Sequence, residues 1–508
     1  RNYVKINFMK KNYAVLLVAA LCALTVCCTK MDYYLDLGMV PAYSPDEMSI
    51  NENHSEGDNF DPITENPFIK VSDQPVSSFS VDADGASYAY VRRCINNGIN
   101  PSPDAIRTEE FLNYFTFDYP SPAGDETVAV NAEIGDCPWA EGRKLLRIGM
   151  KGKEISEAEM PQANFIFLID TSGSMSGSDR IDLLKTGLCN LVDELRPTDR
   201  VSIITYSGQV RKLLESTLAK DAPTIKKAIK SLLASGSTAG GQAMKMAYEE
   251  AAEHYIKGGN NRIIMCTDGD FNVGVSSTEA LVEMVESYLD KGIYLSIMGF
   301  GTGNYYDSRM ESLSNHGNGT YNYIDCEDEM MKVFVHERSR FLSVANDTKV
   351  QVRFTENVDS YRLIGYENRV MSNDDFENDK KDAGEIGAGQ TITALYELIP
   401  AENYTMHANA AQIEVRYKKN LGEESRSLEV NTGIPTYDGF KPSEEFNFAA
   451  GLAAFALTLR DSEYKGTASL DMAYDLLKPV SEPAGTIDPL GLRKQLLELV
   501  SKAREISR

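Results

Sequence analysis

Oxygen-bearing side chains stand at the ends of apolar runs in three stretches of this sequence. In "FIFLIDTSGSMSGSDR", residues 165 to 180, an apolar run leads into Asp170, and Ser172 and Ser174 follow at alternate positions. "SGSTAGGQAM" sets Thr238 between Gly236 and Gly240 just ahead of a helical stretch, and "RIIMCTDGDFN" ends a second apolar run in Thr267 and Asp268. Hard oxygen donors with no histidine or thiolate among them suit a hard divalent cation. Few carboxylates combined with neutral hydroxyls favour Mg2+ or Mn2+ over Ca2+, and leave a position open to water or an outside ligand.

Those side chains meet only if the elements that carry them end at one edge. Residues 161–342 alternate short apolar runs ("NFIFLID", "VSIITYS", "RIIMCTD", "YLSIMGFG", "GTYNYID") with helical stretches such as "DRIDLLKTGLCNLVDEL" and "TEALVEMVESYLDKG". Continuous apolar strands alternating with helices predict a doubly wound, largely parallel α/β sheet. Ligands of such sheets bind beyond the carboxyl ends of the strands, where the strand order reverses. Asp170, Ser172, Ser174, Thr238 and Asp268 are thereby expected to converge on one metal ion.

The order D-x-S-x-S, then a Thr, then T-D-G resembles the von Willebrand factor type A (VWA) family and its metal-ion-dependent adhesion site. On that resemblance Asp170, Ser172 and Ser174 form the first part of the site, Thr238 the second and Asp268 the third, with hydroxyls coordinating directly and a carboxylate often through water. The resemblance further implies that the open position takes an Asp or Glu of a protein partner. The stretches "FSVDADGASYAYVRR", "PDAIRTEEFLNYFTFDYP", "YRLIGYENR", "DAGEIGAGQTITALYEL" and "FAAGLAAFALTLRDSEYKG" look like the flanking domains of a bacterial family of VWA lipoproteins, so the likeness covers nearly all of residues 70 to 500.

Outside the centre, residues 68–160 mix helical spacing with alternating strands ("VAVNAEIGDC", "LLRIGMKG") and read as a small α+β domain. Residues 343–437 alternate as strands in a β-sandwich-like pattern, and 438–508 read as helices that pack back onto that β-rich domain. The expected fold class is multidomain, with the central α/β VWA domain between these flanks.

Other constellations read more plainly. "GSMSG" carries Met175 where a hydrolase nucleophile elbow needs serine. His54, His254, His316, His336 and His407 offer no evident triad base. Asp82 and Asp84 in "SVDADGAS" are spaced like a phosphatase pair or a calcium loop, but the twelfth position is Arg93 and the preceding "VSSFS" is too polar for a buried strand, so turn and helix-cap roles are expected. "GFGTGNYYD" departs from the dinucleotide pattern. Cys266 and Cys189 sit in apolar runs as buried small hydrophobes, and Cys94 and Cys137 pair only if the fold brings them together.

The chain has 508 residues, too many for one core, and its 51 basic against 75 acidic residues give a net charge of -24, which repels nucleic acid. Residues 1–28 comprise upstream residues and a stretch, "MKKNYAVLLVAALCALTVCC", that resembles a bacterial lipoprotein signal, with Cys28 or Cys27 as the lipidated residue. Residues 29–67, with nine acids and no apolar periodicity, read as an acidic flexible tether. The expectation is a lipid-anchored cell-envelope protein on the periplasmic face of the outer membrane or at the cell surface. It is expected to bind a protein partner through a metal and to have no catalytic role. The alternatives are an envelope assembly scaffold with a vestigial metal site and, more remotely, a hydrolase or phosphatase.

Overall fold

A computed structural model describes residues 60–506 apart from Ala83, 237–239, 270–277, Asp290, 302–306, 405–408 and 435–440. The chain enters through strands β1 (Ile69–Lys70), β2 (Val76–Ser80), β3 (Val128–Asp136) and β4 (Lys144–Gly152), with helices α1 (Ala86–Asn96) and α2 (Thr108–Asn113) between β2 and β3. Strand and helix then alternate: β5 (Ala163–Asp170), α3 (Ile181–Glu194), β6 (Arg200–Tyr206), β7 (Val210–Leu218), α4 (Ala222–Lys230), α5 (Gly240–Glu253), β8 (Asn260–Thr267), α6 (Thr278–Leu289), β9 (Ile293–Phe300), α7 (Asp307–Asn315), β10 (Tyr321–Ile324) and α8 (Glu327–Met331). The strands β11 (Ser343–Phe354), β12 (Val358–Ile364), β13 (Val370–Met371), β14 (Gly384–Gly387), β15 (Thr391–Pro400), β16 (Asn409–Lys418) and β17 (Arg426–Gly433) follow, and helices α9 (Glu444–Leu459), α10 (Leu470–Leu477) and α11 (Leu492–Ile506) close the chain.

The middle segment forms a six-stranded sheet in the order β10-β9-β8-β5-β6-β7. All its pairings are parallel except β6 with β7. Strand β5 shows why its sequence is apolar throughout. Phe165, Phe167 and Ile169 face a core shared with α3, α4 and α8, while Ile166 and Leu168 face one shared with α5, α6 and α7. A strand covered on both faces carries no polar alternation. This is the doubly wound sheet the sequence predicts, with one addition: β7, an edge strand whose mixed exposure leaves no clear period.

The flanks depart from expectation. The α+β domain placed at 68–160 and the β-rich domain placed at 343–437 are two halves of one sandwich. In the order β1-β12-β15-β4-β3, strand β4 pairs antiparallel with β15 from Thr391↔Lys151 to Leu398↔Lys144. In the order β13-β2-β11-β16-β17, strand β2 lies between β13 and β11. Phe79, Leu146, Ile148, Phe354, Tyr361 and Tyr396 fill one core between the sheets, with the Phe354 and Tyr361 rings stacked at 4.2 Å. The central domain is inserted between the halves, and the chain leaves and returns at one place: a Cβ on Gly152 would lie 3.0 Å from Val344 Cγ2. Alternation alone marks each half as half-buried strands and is silent on which partner buries them.

Strand β2, "VSSFS", is buried along its length, against the reading of it as too polar. Two of its hydroxyls are satisfied by residues distant in sequence: Tyr396 Oη of the facing sheet donates to Ser77 Oγ at 2.9 Å, and Ser78 Oγ donates to Asn373 Oδ1 at 3.1 Å. Burial of a polar group costs little once it is hydrogen-bonded.

Helices α9–α11 were expected to lie on the β domain and instead pack chiefly on α1 and α2. Phe111 meets Phe455 at 5.9 Å and Phe115 meets Phe448 at 5.3 Å, edge to face. Ser443 caps α9 by accepting from Phe446 N. They also meet the sheets, as at β3, where Ser443 N donates to Glu133 Oε1 at 2.8 Å and a Cβ on Gly135 would press on Phe446. Among the described residues no helix is long and apolar enough to cross a membrane.

Candidate metal centre

The reversal of strand order falls between β5 and β8. From β5 the chain steps outward through β6 and β7, returns to β8 on the other side of β5, and steps outward again through β9 and β10. The neighbours β5 and β8 run parallel with Ile169 opposite Cys266, so Asp170 and Thr267–Asp268 leave the sheet side by side. Asp170 is fully buried and Asp268 is 5% exposed.

The loop after β5 is shaped around Asp170. Ser172 N donates to Asp170 Oδ1 at 2.7 Å, and Thr267 Oγ1 donates to Asp170 Oδ2 at 3.4 Å. Gly269 N donates in turn to Thr267 Oγ1 at 3.2 Å. A short 3-10 turn at Gly173–Met175 brings the Ser174 hydroxyl to 2.8 Å from that of Ser172, with Met175 buried beneath as an anchor. The segment after α4 is tied to the same loop: Ser235 N donates to Thr171 O at 2.7 Å and Gly173 N to Gly236 O at 3.1 Å. Thr238, two residues further on, lies outside the described residues.

Burial pushes the Asp170 carboxyl up to about 7, and the Asp268 charge adds to the rise against the Ser172 and Thr267 hydrogen bonds. Asp268 Oδ1 is buried with no hydrogen-bond partner among the described residues. A buried carboxylate oxygen left bare is costly unless a cation or a donor meets it. The set of two carboxylates and two hydroxyls, with an oxygen unspent, fits a hard dication. Asp170, Ser172, Ser174 and Asp268 would hold it. The neighbouring thiol of Cys266 is fully buried and pushed far up by that burial, which makes it inert.

Two supporting roles were not assigned from the sequence. Thr267 orients Asp170, and Arg180 Nη1 donates to the carbonyl of Ser174 at 2.8 Å. Gly301, at the end of β9 with φ +76°, makes room for Arg180, since a side chain there would collide with the guanidinium. The "GFGTG" run held that signal, although residues 302–306 lie outside the described set.

The remaining candidates are accounted for differently. Asp84 N donates to Asp82 Oδ1 at 3.1 Å, a turn role as expected, but Gly85 caps α1 without a side-chain bond from either aspartate. Asp82 instead pairs with Arg369 at 3.2 Å, and Asp84 Oδ1 accepts from Tyr321 N at 2.9 Å, which joins the sandwich to β10. His316 Nδ1 lies 2.7 Å from Ser312 O and His254 lies 3.6 Å from Glu250, while His54 and His407 fall outside the described residues, as do Cys27 and Cys28. Cys94 and Cys137 are both buried and are not joined in a disulfide, and Cys189 is half-buried. Two other carboxylate groups, around Glu250 and around Asp347, are already served by Lys212 at 2.6 Å and Lys418 at 2.6 Å.

Comparison with known proteins agrees with this architecture. A family model described as von Willebrand factor type A domain matches residues 164–335, one described as von Willebrand factor matches 54–147, and one described as Uncharacterized protein YfbK, C-terminal, matches 339–506. The chain is 38% identical over 465 residues to Uncharacterized protein YfbK of Escherichia coli (strain K12), which covers 86% of this chain and 80% of that one. It is 29% identical over 205 residues to inter-alpha-trypsin inhibitor heavy chain H3 of Homo sapiens, 38% of this chain and 22% of that protein. Among solved structures, a von Willebrand factor type A protein from Catenulispora acidiphila aligns over 70% of this chain and 91% of its own with 15% identity and a TM-score of 0.41. With a relative this similar along most of its length, and with matched flanks that fold around a matched centre, the chain belongs to the YfbK family of bacterial von Willebrand factor type A domain proteins.

Proposed function

We propose that the chain is a metal-ion-dependent protein-binding module of the cell envelope, anchored through a lipid on Cys28 (or Cys27) and carrying no catalytic step. A VWA domain is commonly a protein-interaction module. The observation that carries the finer reading is the pair of strand ends at the β5/β8 switch, where Asp268 Oδ1 is buried with no hydrogen-bond partner among the described residues, beside Asp170 and the two serine hydroxyls. A bound Mg2+ or Mn2+ would supply an electrophilic position for a partner's Asp or Glu carboxylate. Asp170, Ser172, Ser174 and Asp268 fix that position at the sheet edge, and Thr238 completes the set by resemblance. The ion also answers an electrostatic problem, because a chain of net charge -24 repels an acidic partner residue unless a cation stands between them.

The test has two arms. Titration calorimetry with Mg2+ on the wild type and Asp170→Ala is expected to give binding in the first and none in the second, with a metal-dependent rise in melting temperature. Capture of partners from envelope extract is then expected to require Mg2+ and to be lost with EDTA. Partner binding that survives both EDTA and Asp170→Ala within a factor of about two, well under the tenfold of about 1.4 kcal/mol, overturns the metal bridge and favours the scaffold reading. The anchor is tested separately: changing Cys27 and Cys28 together to serine is expected to release the protein from membranes, and continued pelleting after high salt and carbonate removes the lipid proposal.

A further inference from the structure

The loop that carries Ser172 and Ser174 is gripped from outside its own domain. Helix α1, which comes from the sandwich half before β3, packs against edge strand β10, with Tyr90 meeting Tyr323 at 5.6 Å. Its consecutive residues Arg92 and Arg93 reach two different parts of the central domain. Arg92 is buried: Nε donates to Asp325 Oδ2 at 2.9 Å, Nη2 to Glu329 Oε2 at 2.7 Å, and Nη1 to Tyr114 Oη at 2.6 Å. Arg93 Nη2 donates to Asp179 Oδ2 at 2.7 Å. Asp179 belongs to the segment between Ser174 and α3, and its neighbour Arg180 bonds the carbonyl of Ser174 at 2.8 Å.

We infer that Arg93 is a positioning residue for the metal loop, holding residues 173–180 through Asp179 so that the hydroxyls of Ser172 and Ser174 stay convergent. The inference rests on the metal-site reading above. The Asp179 side chain is 39% exposed and that of Arg93 16%, so the pair adds little to global stability. Its effect falls on the loop. The segment "GSMSGSD" contains Gly173 and Gly177, the latter at φ +146°, and a backbone of this composition has many conformations open to it when untied. A Cβ at Gly177 would lie 2.9 Å from Asp179 Oδ1, which shows how closely Asp179 folds back over the loop to meet Arg93. The Arg92 network fixes α1 against Asp325 and Glu329, so the Arg93 fork is presented from a rigid support and loses less side-chain freedom on pairing.

The experiment compares wild type, Arg93→Ala, Arg93→Lys and Asp179→Asn as full chains. Mg2+ affinity by calorimetry is expected to fall about tenfold in Arg93→Ala and Asp179→Asn, the scale of losing an outer support of a metal site, with melting temperatures of the metal-free proteins close to wild type and most of the affinity kept in Arg93→Lys. Hydrogen exchange across residues 171–181 in chelator is expected to quicken in Arg93→Ala and Asp179→Asn. Unchanged Mg2+ affinity together with unchanged exchange in both overturns the inference. If the wild type takes up no Mg2+, the metal reading falls by itself and the exchange arm alone decides: faster exchange keeps the clamp, unchanged exchange removes it. Should Arg93→Ala fail to fold, Asp179→Asn, on the more exposed partner, carries the test.

Discussion

The hydroxyl oxygens of Ser172 and Ser174 lie 2.8 Å apart, one hydrogen bond from each other and beside a carboxylate whose own Oδ1 is occupied by Ser172 N. Two lone-pair oxygens held that close at a sheet edge satisfy each other in the free protein and can both turn toward a cation. Ser172→Ala and Ser174→Ala are therefore each expected to weaken Mg2+ binding at least about tenfold while the metal-free protein melts near wild type. Calorimetric titration of Mg2+ into each variant checks this. Wild-type affinity in both would show that the hydroxyls are not ligands.

Asp82 and Asp84 make a contrast within the same molecule. Both are buried, yet their partners are Arg369 and Tyr321 N, elements of the sandwich and of β10, and neither belongs to the β5/β8 edge. Asp82→Ala leaves Arg369 with Glu311 at 3.5 Å as its ion-pair partner among the described residues, a loss on the order of 3 kcal/mol for breaking a buried pair. Urea unfolding is expected to register that loss, while Mg2+ affinity stays at the wild-type value. A lost metal signal would place the site at Asp82 after all.

What the sequence disclosed follows from what local pattern can encode. Strands β5, β8 and β9 are buried on both faces, so their apolar runs stand out, and the rule that ligands gather at strand carboxyl ends then selects Asp170, Ser172, Ser174 and Asp268. The union of the two sandwich halves left no such mark, because Ser77 finds Tyr396 across 319 positions and periodicity carries no information at that range. The polar strand β2 misled for the same reason: the hydroxyls of Ser77 and Ser78 are satisfied by partners the local sequence does not name. The Arg93 contact with Asp179 spans 86 positions and was equally invisible, although both residues were in plain view.

A pH dependence follows from Glu109 on α2, which is 1% exposed and packed so closely on Gly365 that a side chain there would strike its carboxylate. Burial pushes Glu109 up to about 8 from an ordinary 4.5, and the charges of Glu367 and Asp82 add to the rise against Arg107. The folded state thus holds this proton more tightly than the unfolded one. Its contribution is complete below about 4.5, drains as pH climbs, and is gone once pH has passed through about 8. Glu109→Gln cannot ionise and is expected to flatten the profile, gaining stability over wild type at pH 8.5 on the order of a few kcal/mol and little at pH 5. Urea midpoints at the two pH values decide it, and parallel profiles for variant and wild type would show that Glu109 does not titrate in this range.

The interleaved sandwich makes a prediction about autonomy. Residues 161–342 contain all six strands of the central, largely parallel sheet and the helices on both its faces, so their hydrogen-bond ladders close within the segment. Residues 60–160 contain β1 to β4, but β2 has both its sheet neighbours, β11 and β13, in the other half, and β4 has β15 there along eight paired positions. Cut off from 343–433, these strands would present unpaired backbone edges and the apolar faces of Phe79, Leu146, Ile148 and Met150 to water, which leaves too little burial to offset chain entropy. The isolated 161–342 segment is therefore expected to unfold cooperatively in urea, with a slope of about 1–3 kcal/mol/M, whereas 60–160 alone is expected to show no cooperative transition and to self-associate. Circular dichroism against urea and size-exclusion chromatography on the two segments provide the comparison. A monomeric 60–160 segment with a sharp transition would mean that its strands form a domain of their own and that the two halves merely dock.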